Sequence, residues 1–547
     1  MSWRSKAKKF AWQFFKIDDP VTLRDDYIDK TIDRERKPRQ LSKWDRVNFL
    51  NAFNWYPSHY SAYEKRFLLK VDICVFLFLG ASFFTKFLDN VNVGTAYVSG
   101  LKEDLDLHGN ELNIFNTCYS VGYAVFQVPL TLLLTKHQFS RHLLLFCELA
   151  YGMMTLANAY VKTARQMYAV RFFVGVFEAC STPAAFVIMS SFFTEEELYQ
   201  RAGLYGAFGT SGSASSGALQ SKAREKLDGV AGLRGWQWQF IIDAVITFGI
   251  FLYGFFLFPG TPNSCKKFSL FSEDDMTFAR NRLKHCVAIP QKFTWKTIKE
   301  TLLTWQIYFA TILWSLYSQC WYNNSPLLYM KSRPEHFTTT MVTNWNSYIH
   351  AVGVPMDILL SPIVQYYGMF IPINFVFGVG YYCAIILVIW NVSQPLIMSA
   401  FFLTMMYKAA LSQVLTAWFA VLCKDNVEKK AITIAWAQAF SYAVNAFGFP
   451  LQYNMKDSPR FKKGYIANLI LIIATHIVFL FGMWMDKYDL KYFPKISGNR
   501  HTEYNGDEIS CNESKVVSIT EIDVEKDDMS IDVPNNLGSM NDSKTSF

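Results

Sequence analysis

The chain has 547 residues, of which 51% are hydrophobic, 17% aromatic and only 18% charged, with a formal net charge of +8. Soluble globular proteins carry about 25% charged residues, so this composition argues against a soluble protein and favours one whose apolar surface faces lipid. The ten cysteines form no Cys-x-x-Cys pair, which argues against a zinc site or a disulfide framework. The uneven charge is typical of solvated tails, not of a nucleic-acid-binding surface.

Twelve apolar stretches are long enough to cross a bilayer, since a spanning helix needs about 20 residues. We predict spans at 71–92, 112–134, 142–161, 167–192, 202–221, 239–258, 306–326, 341–361, 369–390, 395–417, 431–452 and 464–485. The fifth and eighth are polar, so we expect them to line an aqueous path or to pack closely on neighbours. Regularly spaced glycines predict one flat packing face on the fifth span: Gly203, Gly206, Gly209, Gly212 and Gly217.

An even number of spans puts both chain ends on one side of the membrane. The excess of Lys and Arg in the N-terminal region 1–67 and in the connector 259–304 assigns that side to the cytoplasm. The connector separates two six-helix halves, 68–258 and 305–487, an organisation typical of transporters with a central site. Aromatic residues in the first region predict amphipathic helix on the inner leaflet. The polar segment 488–547 is predicted to be a disordered cytoplasmic tail.

Four charged side chains are predicted to lie at membrane depth, where a charge is expensive and usually functional. Lys86 and Asp89 are three residues apart in the first span, so they share a helix face and can pair. Arg171 and Glu178 are seven residues apart in the fourth span, about 10 Å along the axis, which is too far for direct contact. The pattern therefore predicts a layer of two cations above a buried carboxylate.

This arrangement favours the transport of an organic anion together with protons. Arginine offers a planar fork of donors that matches a carboxylate, and a buried carboxyl without a partner carries a proton near neutral pH. We therefore predict Glu178 and Asp89 as proton-coupling residues and Arg171 and Lys86 as anion-binding residues. The alternative is that these residues form ordinary ion pairs that hold the first and fourth spans together.

Four other polar residues of the second half are weaker candidates. Asp357 in the eighth span and Lys408 in the tenth are isolated interior charges, compatible with either a structural or a functional role. Asn323 and Asn324 end the seventh span, where they either cap the helix or bind polar atoms of the substrate.

Two acids of the first half are predicted to be structural. Glu148, near the start of the third span, is expected to snorkel to the cytoplasmic face, and Asp243, near the start of the sixth, to make a helix-end interaction. The sequence contains no His-Glu-x-x-His motif and no metal-ligand cluster. We therefore expect no metal, no cofactor and no enzymatic activity.

Several segments resemble a known family of transporters. They are KFLDNVNVGTAYVSGLKEDL after the first span, RFFVGVFEA in the fourth, FFTEEELYQRAGLY after it, and GVAGLRGWQWQFIIDA before the sixth. Over roughly residues 65–490 the chain resembles the major facilitator superfamily, its anion:cation symporter family and, within that, the fungal allantoate-permease group with its pantothenate and biotin permeases. The resemblance implies a major facilitator fold of twelve helices, alternating access and proton-coupled uptake of an organic anion.

The resemblance also implies roles for individual residues. The acids matching Asp89 and Glu178 are linked to proton coupling in such relatives, and the arginine matching Arg171 to anion binding. Many relatives have Arg after the first-span Asp, whereas this chain has Asn90. Lys86, one turn earlier, is predicted to supply that charge, and Asn90 is kept as a substrate-binding candidate.

The prediction is thus a monomeric, multi-pass importer in the plasma membrane, with an internal membrane as the alternative and with both ends in the cytoplasm. Its partners are a small organic anion, protons and the lipid bilayer. A vitamin-like monocarboxylate such as pantothenate or biotin is favoured, while allantoate, nicotinate-like acids and sulfur-containing anions remain open. The rival hypothesis is a nutrient sensor of the same fold that binds the anion without transporting it.

Overall fold

The computed structural model describes residues 55–56, 60–134, 139–264, 267–283, 299, 301–321, 324–423 and 427–492. Apart from one isolated bridge between Phe268 and Phe271, every regular element among them is helical. Residues 1–54 of the predicted N-terminal region 1–67, residues 493–547 of the predicted tail 488–547 and the candidate Asn323 lie outside these residues, whereas 488–492 belong to the last helix and not to a disordered tail.

Six long helices precede the connector. They are α1 (Ala62–Asp104), α2 (Glu111–Leu134), α3 (Ser140–Asn158), α4 (Ala164–Met189), α5 (Glu195–Leu227) and α6 (Gly235–Leu257). Helix α4 is interrupted at Ala179 and Cys180, between its segments Ala164–Glu178 and Ser181–Met189. A short helix, α7 (Glu273–Leu283), follows in the connector.

Six further helices follow the connector. They are α8 (Trp305–Gln319, continued by Ser325–Lys331), α9 (Thr339–Ala351, continued by Gly353–Tyr367), α10 (Phe370–Ile389), α11 (Gln394–Leu422), α12 (Val427–Gln452) and α13 (Lys462–Tyr492). Eight of the described helices are long and apolar enough to cross a membrane. With the shorter or more polar α3, α5, α8 and α12 they account for the twelve predicted spans, six on either side of α7.

A glycine-lined crossing brings α2 against α4. A Cβ atom on Gly122 would lie 2.3 Å from the carbonyl oxygen of Phe172, and one on Gly175 would lie 2.2 Å from that of Tyr119. Only hydrogen fits at these two positions, so the backbones touch. The close approach places the tyrosines of α2, Tyr119 and Tyr123, beside the polar residues of α4.

The glycines of α5 lie on two faces of the helix, not on one as predicted. A Cβ on Gly212 would lie 2.1 Å from the carbonyl oxygen of Phe84 on α1, whereas one on Gly217 would lie 2.0 Å from that of Thr343 on α9. Gly203 also faces α9, and Gly209 faces Phe83 of α1. Helix α5 is therefore packed tightly within its own half and against the other half at once.

A network of charged residues ties α7 to the face of the bundle on which α1 begins, here called the N-terminal face. Arg282 of α7 donates to Glu64 of α1 at 2.7 Å and contacts both carboxylate oxygens of Glu197 on α5. Beside it, Arg201 of α5 donates from Nε and Nη2 to the two oxygens of Asp72, each at 2.7 Å. Burial alone would lower the pKa of Arg282, but the carboxylates of Glu197 and Glu64 outweigh it and raise that pKa. The connector is therefore anchored to the first half.

Candidate functional site

The centre of the site is an ion pair between α1 and α4. Nη1 of Arg171 lies 2.5 Å from Oδ2 of Asp89, and neither side chain is exposed. Asp89 thus pairs with the arginine of α4 and not with Lys86, its neighbour along the helix. The i, i+3 spacing permitted a Lys86–Asp89 pair, but the α1–α4 packing offers Asp89 a closer partner.

Lys86 points to the interruption in α4. Its Nζ donates to Ser181 Oγ at 3.0 Å, to Thr182 Oγ1 at 3.2 Å and to Tyr123 Oη at 2.9 Å. The ammonium also lies 4.5 Å from the centre of the Tyr123 ring, a favourable cation–π arrangement. All these partners are neutral, so Lys86 has no ion pair among the described residues and remains a buried cation.

Glu178 is also buried, and it lies at the end of the first segment of α4. Its Oε2 accepts from Tyr119 Oη at 2.7 Å, and its Oε1 has no hydrogen-bond partner among the described residues. Arg171 and Glu178 form no ion pair in the described part of the chain, in agreement with the predicted separation of two turns. Glu178 is therefore a carboxyl group held by a phenol, with one oxygen uncommitted.

Arg171 uses only one of its three nitrogens on Asp89. The other two, Nε and Nη2, are buried and have no hydrogen-bond partner among the described residues, and the guanidinium lies 5.1 Å from the Tyr119 ring centre. In Arg201 the same two nitrogens, Nε and Nη2, donate to the two carboxylate oxygens of Asp72. Arg171 thus presents the fork that binds a carboxylate with two parallel hydrogen bonds.

A second polar cluster lies next to the ion pair and was not predicted as part of the site. Asn92 of α1 donates to Asp243 of α6 at 2.7 Å, and its own oxygen accepts from Ser216 and Gln239. Asp243 is fully buried, so the predicted helix-end role is wrong. The sequence signal was an acid inside the apolar run WQFIIDAVITF, well past the first turn of α6.

Glu148 is also buried and does not snorkel to a membrane face. It is eight residues into α3, about 12 Å from the helix start, and its Oε2 accepts from Ser82 Oγ of α1 at 2.5 Å. A small cavity between α1, α3 and α4 is lined by polar residues that include Glu148, Lys86 and Glu178. The apolar flanks in LLLFCELAYG were the signal that this acid lies in the interior.

Comparison with known proteins places the chain in a family. The sequence profile described as Major Facilitator Superfamily matches residues 78–449. The chain belongs to the Major Facilitator Superfamily. It is a multi-pass membrane protein of a transporter family.

Curated relatives of this facilitator cover most of its length. It is 32% identical to the pantothenate transporter FEN2 of Saccharomyces cerevisiae, over 76% of this chain and 83% of the relative. It is 30% identical to the pantothenate transporter liz1 of Schizosaccharomyces pombe, over 76% and 81%. It is 28% identical to the vitamin H transporter of Saccharomyces cerevisiae, over 92% and 82%.

Solved structures share the fold of this facilitator at low sequence identity. The proton:xylose symporter XylE superposes with a TM-score of 0.59 at 11% identity, over 77% of this chain and 96% of XylE. The human organic anion transporter MFSD10 gives a TM-score of 0.51 at 12% identity, over 76% and 100%. These likenesses confirm the predicted major facilitator fold.

The other predicted site residues of this facilitator are spread over the bundle. Asn90 is half-buried, one position beyond Asp89 on α1. Asn324 lies against α1, where a Cβ on Gly94 would be 2.6 Å from its Oδ1. Asp357 of α9 accepts from Thr210 of α5 at 2.6 Å and so joins the two halves.

Lys408 of α11 is half-buried in the second half, and its carbonyl oxygen accepts from the Tyr317 hydroxyl of α8. Thus, of the nine predicted positions, the structure gathers Lys86, Asp89, Arg171 and Glu178 into one polar centre.

Proposed function

We propose that this facilitator is a proton-coupled importer of a small organic anion that carries a carboxylate group. A vitamin-like monocarboxylate is the favoured substrate, pantothenate first and biotin second, because the curated relatives described above are named as transporters of pantothenate and vitamin H. Allantoate, nicotinate-like acids and sulfur-containing anions are the alternatives, because each carries a comparable negative charge.

The observation that carries this proposal is the uncommitted fork of Arg171. A buried guanidinium with two unpartnered donors is unfavourable by itself, and a substrate carboxylate is the group that would satisfy both at once. The nearby ammonium of Lys86 adds positive charge. A substrate carboxylate on Nε and Nη2 and Asp89 on Nη1 would then share the single positive charge of Arg171, so each would weaken the attraction of the other to it.

Proton coupling follows from this competition. In our proposal a proton neutralises Glu178 or Asp89, which weakens the hold of the acids on the buried cations. The substrate carboxylate then takes the fork of Arg171, and the loaded centre has a smaller net charge than the same centre with either ligand alone. A low-dielectric interior favours that balance, so the loaded form is the one in which the two halves move.

The setting in the cell is part of the proposal. We place the carrier in the plasma membrane as a monomer, with the N-terminal face and both chain ends toward the cytoplasm, because the sequences of the N-terminal region and of the connector carry an excess of Lys and Arg. The connector 259–304 would then join two halves, 68–258 and 305–487, that alternate access around the Arg171 centre.

The substrate is tested by uptake of labelled organic acids in cells that lack their own carriers, at pH 5 and pH 7. Pantothenate, biotin, allantoate and nicotinate form the panel. We expect one monocarboxylate to accumulate against its gradient, faster at pH 5, with loss of accumulation when a protonophore is added. Uptake of none of these acids, or accumulation that ignores the protonophore, would overturn the proposal.

The coupling role of Glu178 is tested by Glu178→Gln, which keeps the size of the side chain and removes its charge. We expect this variant to lose accumulation driven by a pH gradient but to keep some exchange of labelled for unlabelled substrate, since exchange moves no net proton. Glu225→Gln, at an exposed position near the end of α5, is the matched control. Normal accumulation by Glu178→Gln would remove Glu178 from the coupling mechanism.

A further inference from the structure

A second buried carboxyl group shares a cavity with Glu178. We propose that Glu148 is a further proton-carrying residue of the transport cycle, exchanging protons with Glu178 through the cavity between α1, α3 and α4. This inference rests on the proposed proton-coupled function. It assigns Glu148 a part in the same site, whereas the sequence alone suggested a side chain directed at the membrane face.

The contacts of Glu148 fit a group that changes its charge. Its Oε2 is held by Ser82 Oγ at 2.5 Å, whereas its Oε1 is buried and has no hydrogen-bond partner among the described residues. A permanently ionised carboxylate at this depth would be expected to have a cationic partner, and the described residues supply none within ion-pair distance of Glu148. A single neutral donor is enough for the protonated form.

The cavity connects Glu148 to the transport site. Its lining includes Ser82 and Lys86 of α1, Glu148 and Tyr151 of α3, and Glu178 of α4. Ser82 and Lys86 are one turn apart on the same face of α1, so the residue that holds Glu148 is adjacent to the cation that faces Glu178. Glu178 and Glu148 therefore line one small cavity together with Lys86 and Ser82, and the proposal places the proton exchange there.

The balance of charge in the first half supports the same conclusion. At mid-depth, the described helices α1–α6 bury two cations, Lys86 and Arg171, against four carboxyl groups, Asp89, Glu148, Glu178 and Asp243. Since Asp89 is paired with Arg171, Lys86 can offset only one of the remaining three acids. A low-dielectric interior is then electrically neutral only when two of these three carboxyl groups are protonated, which puts at least one proton on Glu148 or Asp243 in addition to any on Glu178.

Several titratable groups surround Glu148 and would influence its proton exchange. They are Lys86 on α1, Cys147 and Tyr151 on α3, Glu178 and Cys180 on α4, and Tyr205 on α5, with Asp243 of α6 on the far side of Tyr151. The thiols and phenols are neutral near pH 7, so Lys86, Glu178 and Asp243 are the charged or acidic members of this set.

The test is the number of protons coupled to each substrate anion. Reconstituted carrier is given a series of pH gradients with the membrane potential collapsed, using the monocarboxylate found by the uptake panel, and the accumulation ratio is measured at equilibrium. Each coupled proton changes that ratio by about tenfold per unit of pH gradient. We expect Glu148→Gln to lower the slope by one proton relative to the wild type, and Glu148→Asp, which keeps a carboxyl group, to restore it.

The outcomes separate this inference from the proposed function. A wild-type carrier whose accumulation ignores the pH gradient overturns the proposed function and the inference with it. A wild-type carrier that responds, together with Glu148→Gln of unchanged slope, overturns the inference alone. Should Glu148→Gln fail to fold, infrared difference spectra of wild type and Glu148→Asp decide: a protonated-carboxyl band that moves in the aspartate variant supports the role of Glu148, and identical bands overturn it.

Discussion

At the scale of single residues, the candidate site is defined by how Arg171 divides its donors. One nitrogen holds Asp89, and the fork of the other two is uncommitted. The fork, and not the charge alone, is therefore the property on which substrate binding should depend. A lysine at this position would keep the charge but could not form two parallel hydrogen bonds with one carboxylate.

We therefore predict that Arg171→Lys raises the KM for the organic anion by roughly tenfold or more, the equivalent of one or two charge-assisted hydrogen bonds. Initial rates of labelled uptake over a range of substrate concentrations measure this effect. Arg165→Lys, at an exposed position in the first turn of α4, is the matched control. An unchanged KM in Arg171→Lys would show that the substrate does not use the fork.

The four residues of the polar centre could be predicted from the sequence because charges inside apolar runs are conspicuous. Their partners could not. Asp89 had a candidate partner three residues away in Lys86, and only the packing of α1 on α4 decides that Arg171 takes it. Lys86 is satisfied by hydroxyl groups of Tyr123, Ser181 and Thr182, which belong to other helices and carry no charge to reveal them.

At the scale of helices, α7 shows how the connector is held. Asp275 of α7 accepts from Lys70 Nζ at 2.8 Å and from Tyr63 Oη at 2.9 Å, both on α1, and from the backbone N–H of Ser272. Burial by itself raises the pKa of Asp275, but these hydrogen bonds outweigh it and hold the pKa below its usual value. The ionised form of Asp275 therefore stabilises the docked α7.

We predict that Asp275→Asn lowers the stability of the detergent-purified carrier by about 1 kcal/mol at pH 7. A lowered pKa stabilises the fold above the ordinary aspartate pKa, and that contribution is lost as the pH falls through the lowered value. The difference between wild type and variant should thus shrink below about pH 4. Thermal unfolding over a pH series measures it, with the exposed neighbour Asp274→Asn as control; a difference that does not depend on pH would contradict the assignment.

The bounds of most helices could be predicted from the apolar runs. The interruptions within helices and the packing faces of α5 could not. The predicted seventh span has two segments with a gap after Gln319, and the fourth is interrupted at Ala179. The first break contains the polar residue Asn324, which was predicted to end that span, whereas Ala179 and Cys180 are apolar and give no sign of the second break. Likewise, the glycine spacing of α5 predicted close packing correctly, but it did not show that two different helices share the glycines.

At the scale of the whole molecule, the two halves meet where α5 packs on α9 and α2 on α12. Gly217 of α5 touches the backbone of Thr343, and Gln127 of α2 donates to Gln438 of α12 at 2.8 Å. Alternating access requires contacts between halves to open and close during each cycle. A side chain added at the Gly217 contact would therefore interfere with closure of the two halves.

We predict that Gly217→Ala slows net uptake severalfold and lowers the unfolding temperature of the carrier, because a Cβ there would lie 2.0 Å from the Thr343 carbonyl oxygen and would force the two helices apart. Gly249→Ala on α6 is the control, since no atom lies within 4 Å of the added carbon. Uptake rate and unfolding temperature are measured together. Normal uptake by Gly217→Ala would mean that this contact does not close during transport.

The twelve helices in two sets of six could be predicted from the apolar stretches and the basic connector, and the major facilitator fold followed from the resemblance of the quoted segments to that family. The distribution of polar residues between the halves could not, since it depends on which side chains turn inward. The first half buries six acidic or basic side chains at mid-depth, whereas the described helices of the second half bury only Asp357, His350 and Lys430 among titratable side chains other than tyrosines and cysteines.

This inequality has a consequence for protein engineering. If proton binding and release take place almost entirely in α1–α6, then a chimera that joins these six helices to the helices of a related carrier that correspond to α8–α13 would keep its dependence on the pH gradient. Its preference among cargo molecules would shift toward that of the donor of the second half. The two halves would then be exchangeable modules, the first determining proton coupling and the second determining substrate specificity.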